Sequence, residues 1–150
     1  MVAPAGRCEM SRVAETPRWV RTILRTPLIL PAARLALVSA FLIGGLTKLS
    51  DFSAAIAEQE HFGLNPGWLW AALAIIVELG GSALVVLGWQ VWLGAGGLGV
   101  LTAVAMLTAN DFWHLTGHDR FMALNAFFEH LGLIAGLVIV SIHAAERERI

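Results

Sequence analysis

Charge is what this sequence has least of. Asp, Glu, Lys and Arg make up 14% of its 150 residues, against roughly a quarter in an ordinary soluble domain. With 57% of the chain hydrophobic, there is too little polar surface to face water on every side. A formal net charge of -1 excludes the basic surface with which nucleic-acid binders neutralise phosphates. Cysteine is nearly absent too. Cys8 stands alone, which excludes an intrachain disulfide, a CxxC redox motif and a thiolate cluster. A redox role therefore needs a bound cofactor or a partner subunit. No nucleophile–base pair, nucleotide loop or metal-ligand set is recognisable, so nothing marks a standalone enzyme.

What the chain does have is long apolar runs. A bilayer-crossing helix takes roughly 20 mostly apolar residues, and four stretches meet that length: Leu28 to Leu49, Trp68 to Gly88, Val91 to Ala109 and Leu124 to Ala144. Their apolar residues are not confined to one face, as on a soluble amphipathic helix, and they lack the alternation of a barrel strand. The expected fold is all-α, a four-helix transmembrane bundle formed by residues 28–145. A cleaved signal peptide is disfavoured, because the first run is longer than an h-region and has no small-residue cleavage site before Lys48. Residues 146–150 form a charged tail.

Residues 1–27 carry Arg7, Arg12, Arg18, Arg21 and Arg25 against Glu9 and Glu15. That excess points to a cytoplasmic start, and an even number of crossings returns the C-terminus to the same side. The loop over residues 50–67 holds Asp51, Glu58 and Glu60 with no Lys or Arg, which suits the outer face, as does the polar stretch 110–123. Thr16-Pro17 reads as an N-cap and first-turn pair. Behind it, Arg18, Arg21 and Arg25 share one helical face, with Trp19, Val20, Ile23 and Leu24 opposite. This is either a short interfacial helix on an anionic leaflet or a basic tail without fixed structure.

Ionisable residues inside spans are costly and usually face the bundle interior. At 1.5 Å per residue, depth pairs Arg34 with Glu78 as a structural ion pair. It places Lys48 with Glu129, one turn after Asn125, and makes a candidate ligand site at the outer mouth from Lys48, His114, Asn125, Glu129 and His130. His114 and His118 have an i, i+4 spacing that can ligate a metal in a helix, but Thr116-Gly117 between them weakens that reading and no metal site is assigned. Gly44-Gly45, Gly80-Gly81, the run Gly94, Gly96, Gly97 and Gly99, and Gly132-xxx-Gly136 all permit close helix packing.

Four stretches carry a resemblance. Ala33-Arg34-Leu35 followed by Phe41 to Leu49, the loop Gly63-Leu64-Asn65-Pro66, Glu78 to Gly88, and His114 followed by Asn125 to Gly136 resemble, in order and spacing, the DoxX family of small bacterial membrane proteins, over nearly all of 31–142. Two positions depart from the family pattern: Gln90-Val91-Trp92 replaces a basic residue after the second helix, and Glu129-His130 replaces a Lys near the start of the fourth. The resemblance implies a four-helix bundle in the bacterial inner membrane and an association with redox metabolism, its namesake being similar to a small subunit of a thiosulfate:quinone oxidoreductase. Three functions then compete. The first is a membrane subunit of an oxidoreductase system that holds a quinone and meets a soluble oxidoreductase partner. The second is a non-catalytic anchoring or assembly subunit, and the third a small-molecule transporter. Self-association into a homo-oligomer is compatible with each.

Overall fold

The computed structural model describes residues 16–147. Among them the chain is helical throughout and contains no strand. Helix α1 covers Arg18–Leu24. Pro17, not Thr16, occupies the N-cap position and no side chain caps the helix, so the expected Thr16 cap does not form. The helix ends before Pro27, whose ring disfavours helical backbone in the residue ahead of it. The basic residues before Thr16 and the tail from Glu148 onward lie outside the described residues.

Four helices are long and apolar enough to cross a membrane. They are α2 (Ile29–Ser50), α4 (Gly67–Leu87), α5 (Val91–Ala109) and α6 (Gly117–Arg147). They alternate in direction. One end of the bundle therefore holds the beginning of α2 and the end of α6 (the terminal end), and the other holds the longer connections (the loop end). The expected spans match these helices except at α6, which begins at Gly117 rather than Leu124. Its first turns are polar, and the connection before it shrinks to residues 110–116. At about 1.5 Å per residue, α6 is longer than the roughly 30 Å hydrocarbon layer, so part of it extends beyond the apolar slab.

The loop end also holds a helix that hydropathy alone passes over. Helix α3 covers Phe52–His61, and Asp51 caps it by accepting a hydrogen bond from the Ala54 amide at 3.0 Å. A carboxylate cap satisfies one of the free N–H groups of a first turn. Gly67 lets α3 settle on the start of α4: a Cβ there would lie 2.8 Å from the Ile56 carbonyl oxygen.

Packing is uneven along the bundle axis. Val38, Phe41, Val85, Val91, Ala95, Leu98, Leu137 and Val140 form one buried cluster that joins α2, α4, α5 and α6 in the half toward the terminal end. Close approach of α4 and α5 needs glycine on both. A Cβ on Gly94 would stand 2.6 Å from the Gly81 carbonyl oxygen, and backbone cannot move aside. The turn between these helices is equally tight, with Gly88 at φ 75° and Gln90 at φ 48°. In the half toward the loop end the helices are held apart, and a cavity opens between them.

Candidate functional site

The site starts from two glycines on α2. Gly44 and Gly45 remove the side chains that would otherwise keep α4 away. A Cβ on Gly45 would come within 3.1 Å of the Glu78 Cβ, and one on Gly44 would touch the Glu78 carboxylate at 3.5 Å and the Lys48 ammonium at 3.6 Å. The carboxylate thus lies on the bare backbone of α2. Across from it, α4 departs from regular geometry: residues Ile76–Gly80 form a π turn, with Glu78 at its centre. Such single turns occur often at functional sites, because they re-aim one side chain without breaking the helix.

Lys48 donates to both oxygens of Glu78, at 3.0 and 3.4 Å. It is the sole lysine in the sequence. Near the end of α2 it would ordinarily extend outward to the headgroups; instead it folds back toward the middle of the bundle. The two side chains are 18% and 10% exposed, so the pair is shielded but not sealed.

This overturns the expected Arg34–Glu78 pair, and the reason is directional. Every Cα–Cβ bond in a helix tilts toward that helix's N-terminus. Helix α2 runs from the terminal end to the loop end, so Lys48 leans inward while Arg34 leans away toward the terminal end. Helix α4 runs the opposite way, so Glu78 leans toward Lys48. Depth along the axis made Arg34 look nearest; the side-chain vectors decide otherwise. Arg34 is 9% exposed, with its guanidinium against Gly88 at the end of α4, where a Cβ would collide with Nη1. It makes no ion pair with any described residue.

The pair borders a cavity of about 560 Å³. Trp70, Leu73 and Val77 of α4 form one wall, and Gly96, Gly97, Val100 and Val104 of α5 the other. Glu58 and Gln59 of α3, with Phe62 just after it, stand at the mouth. The room comes from α5, since a Cβ on Gly96 would meet nothing within 4 Å. An apolar slot of this size with a few convergent polar groups is the usual form of a small-molecule site.

Of the residues expected in an outer cluster, the cavity takes Lys48 alone. His114 bonds to exposed Asp111 at 2.7 Å. His130 turns its Nδ1 to the Ala126 carbonyl of its own helix. Asn125 and Glu129 are exposed on α6, and no hydrogen bond or ion pair joins Lys48 to Glu129 among the described residues. Asn125, Glu129 and His130 lie on α6, no residue of which lines the cavity. Among the described residues, no group of three or more His, Cys, Asp or Glu side chains is placed to hold a metal.

Sequence reasoning missed α3 and the glycine wall of α5. The first had a signal, Asp51 ahead of Phe52, Ala55 and Ile56 at helical spacing. The glycines of α5 were read for close packing, and the structure uses Gly94 that way; Gly96 faces open space, and a Cβ on Gly97 would touch Val77 at 3.5 Å.

The DoxX family model matches residues 29–111, which is α2 to α5 and the whole lining of the cavity. The chain belongs to the DoxX family. With four apolar helices, this DoxX member is a multi-pass membrane protein. The match stops before α6, so the resemblance of His114 and of Asn125 to Gly136 to the family pattern lies outside it. Neither a curated protein nor a solved structure matches the chain.

Proposed function

We propose that this DoxX protein is a membrane subunit of a redox system and holds a quinone head group in the cavity between α3, α4 and α5. The observation that carries the reading is the part-buried Lys48–Glu78 pair at the edge of a 560 Å³ apolar cavity. A quinone is a flat apolar ring with two carbonyl acceptors and a hydrocarbon tail. The Lys48 ammonium supplies a charged donor for one carbonyl, and such hydrogen bonds are roughly twice as strong as neutral ones. Trp70, Leu73 and Val100 suit the ring, and Gly96 leaves space for the first units of the tail. Reduction of a quinone takes two electrons and two protons. A soluble oxidoreductase supplies the two electrons on this reading; Lys48 supplies one proton, and water reaching the cavity supplies the other and reprotonates Lys48.

The arginine excess of the N-terminal segment and the acidic loop-end connection favour cytoplasmic termini in a bacterial inner membrane, with α1 lying in the interface. The cavity would then open toward the outer face.

The test is binding of a short-chain benzoquinone to the purified protein in detergent, read by quenching of tryptophan fluorescence. Trp70 lines the cavity, so a Trp70→Phe variant should lose most of the saturable quenching. Gly96→Leu should abolish binding by filling the slot, with the fold intact. Unchanged quinone affinity in Gly96→Leu overturns the proposal.

A second reading has one observation in its favour: both oxygens of Glu78 are already engaged by Lys48. On that reading the pair only fixes α2 against α4 in an anchoring subunit, and quinone binds no better to the parent than to Lys48→Met.

A further inference from the structure

Arg34 is a charged side chain buried at the opposite end of the bundle from the cavity, and its Nε has no hydrogen-bond partner. A buried guanidinium is normally held by a carboxylate or several carbonyls, because leaving its donors unmet forfeits their hydration. No described carboxylate lies within ion-pair distance of it. Arg147, of the same sign, ends α6 on this side of the bundle. Arg34 also lines a groove of about 350 Å³ between α2 and α6, walled by Leu30, Leu37, Ile139 and Val140 and bordered by His143. One side of this groove is therefore cationic and hydrogen-bond-rich, and the rest is hydrocarbon.

We propose that the groove between α2 and α6 binds an anionic phospholipid, with the phosphate on Arg34 and one acyl chain along Leu37 and Ile139. A guanidinium that lines the groove with no ion-pair partner among the described residues, beside His143, calls for an anion. The apolar walls lie on two membrane-spanning helices and call for a chain that already resides in the bilayer. A planar guanidinium engages a phosphate through two parallel N–H···O bonds, which sets it apart from a diffuse surface charge. His143 stands beside the headgroup, and the arginines of α1 (Arg18, Arg21) add long-range attraction on the same side of the bundle.

The experiment uses the full chain in neutral detergent and measures its melting temperature and lipid retention against phosphatidylglycerol, phosphatidylcholine of the same acyl chains, and inorganic phosphate. Phosphatidylglycerol should bind roughly tenfold more tightly than phosphatidylcholine, a difference of about 1.4 kcal/mol, and keep most of that preference in 0.5 M salt. Arg34→Gln should bring the ratio close to one while phosphatidylcholine binding stays unchanged. Arg18→Gln with Arg21→Gln should leave the high-salt preference in place. Should Arg34→Gln fail to fold, Ala33→Phe decides the matter: it fills the exposed side of the groove without touching a charge, and it should remove the preference equally. Equal binding of the two lipids by the parent, or a preference that survives both Arg34→Gln and Ala33→Phe, overturns the proposal. So does stabilisation by inorganic phosphate alone as large as that by phosphatidylglycerol, which would mark a free-anion site.

Discussion

Neutralising Lys48 alone and together with Glu78 tests the central contact of this protein. At the observed 3.0 Å separation, the attraction is about 5.5 kcal/mol at an effective dielectric constant of about 20. Desolvation of both ions opposes it, and the 18% and 10% exposure of the side chains admits some screening. A coupling of about 2 kcal/mol is a reasonable remainder. Lys48→Met should therefore cost about 2–3 kcal/mol, because it leaves a carboxylate in an apolar surrounding without its counter-charge. Lys48→Met with Glu78→Gln should recover most of that loss, since no net charge stays behind. The assay is reversible unfolding in mixed micelles, with all four corners of the double-mutant cycle measured at one pH and salt concentration. Uncharged interhelical hydrogen bonds in membranes average about 0.6 kcal/mol. A coupling at or below that value would show that the pair contributes no more than an ordinary polar contact, and the reasoning would fail.

Other outcomes follow from the glycines and the loop end. Gly88→Ala should destabilise by more than about 1 kcal/mol, because φ is 75° and the new Cβ meets the Arg34 guanidinium; the same unfolding assay reads it. Gly94→Ala should cost about 2 kcal/mol by pushing α4 from α5, whereas Gly96→Ala, with open space around it, should stay within about 0.5 kcal/mol of the parent. His114→Ala should leave both stability and quinone quenching unchanged, since its one described hydrogen-bond partner is exposed Asp111; a loss of quenching would return His114 to the site. Single cysteines placed at Ser53 and at Glu146 in a Cys8→Ser background should label from opposite sides of sealed vesicles. Labelling of both from one side would refute the four-span topology.

Sequence alone determined the solvent this chain lives in and the number of its crossings. Scarce charge and four apolar runs of bilayer length leave helices as the one arrangement that satisfies every backbone group in lipid, because each N–H and C=O then bonds within its own segment. The presence of Lys48, Glu78 and Arg34 inside spans, and the glycine pairs that would let helices approach, were legible for the same reason: a local property needs no partner to be seen. The pairing was not. Arg34 and Lys48 lie on one helix, and depth along the axis favoured the wrong one, since the tilt of Cα–Cβ bonds and the antiparallel run of α2 and α4 aim Lys48 and Glu78 at each other and Arg34 away. The rotation of each helix about its own axis was also beyond the sequence. That rotation, fixed for α2, α4 and α5 by Gly44, Gly45, Gly81 and Gly94 against their neighbours, turns Gly96 toward open space and sets Gly97 against Val77. Which helices are long and apolar enough to cross the membrane is written in hydropathy; which faces meet is decided by how closely two backbones can approach, and only the packed bundle settles that.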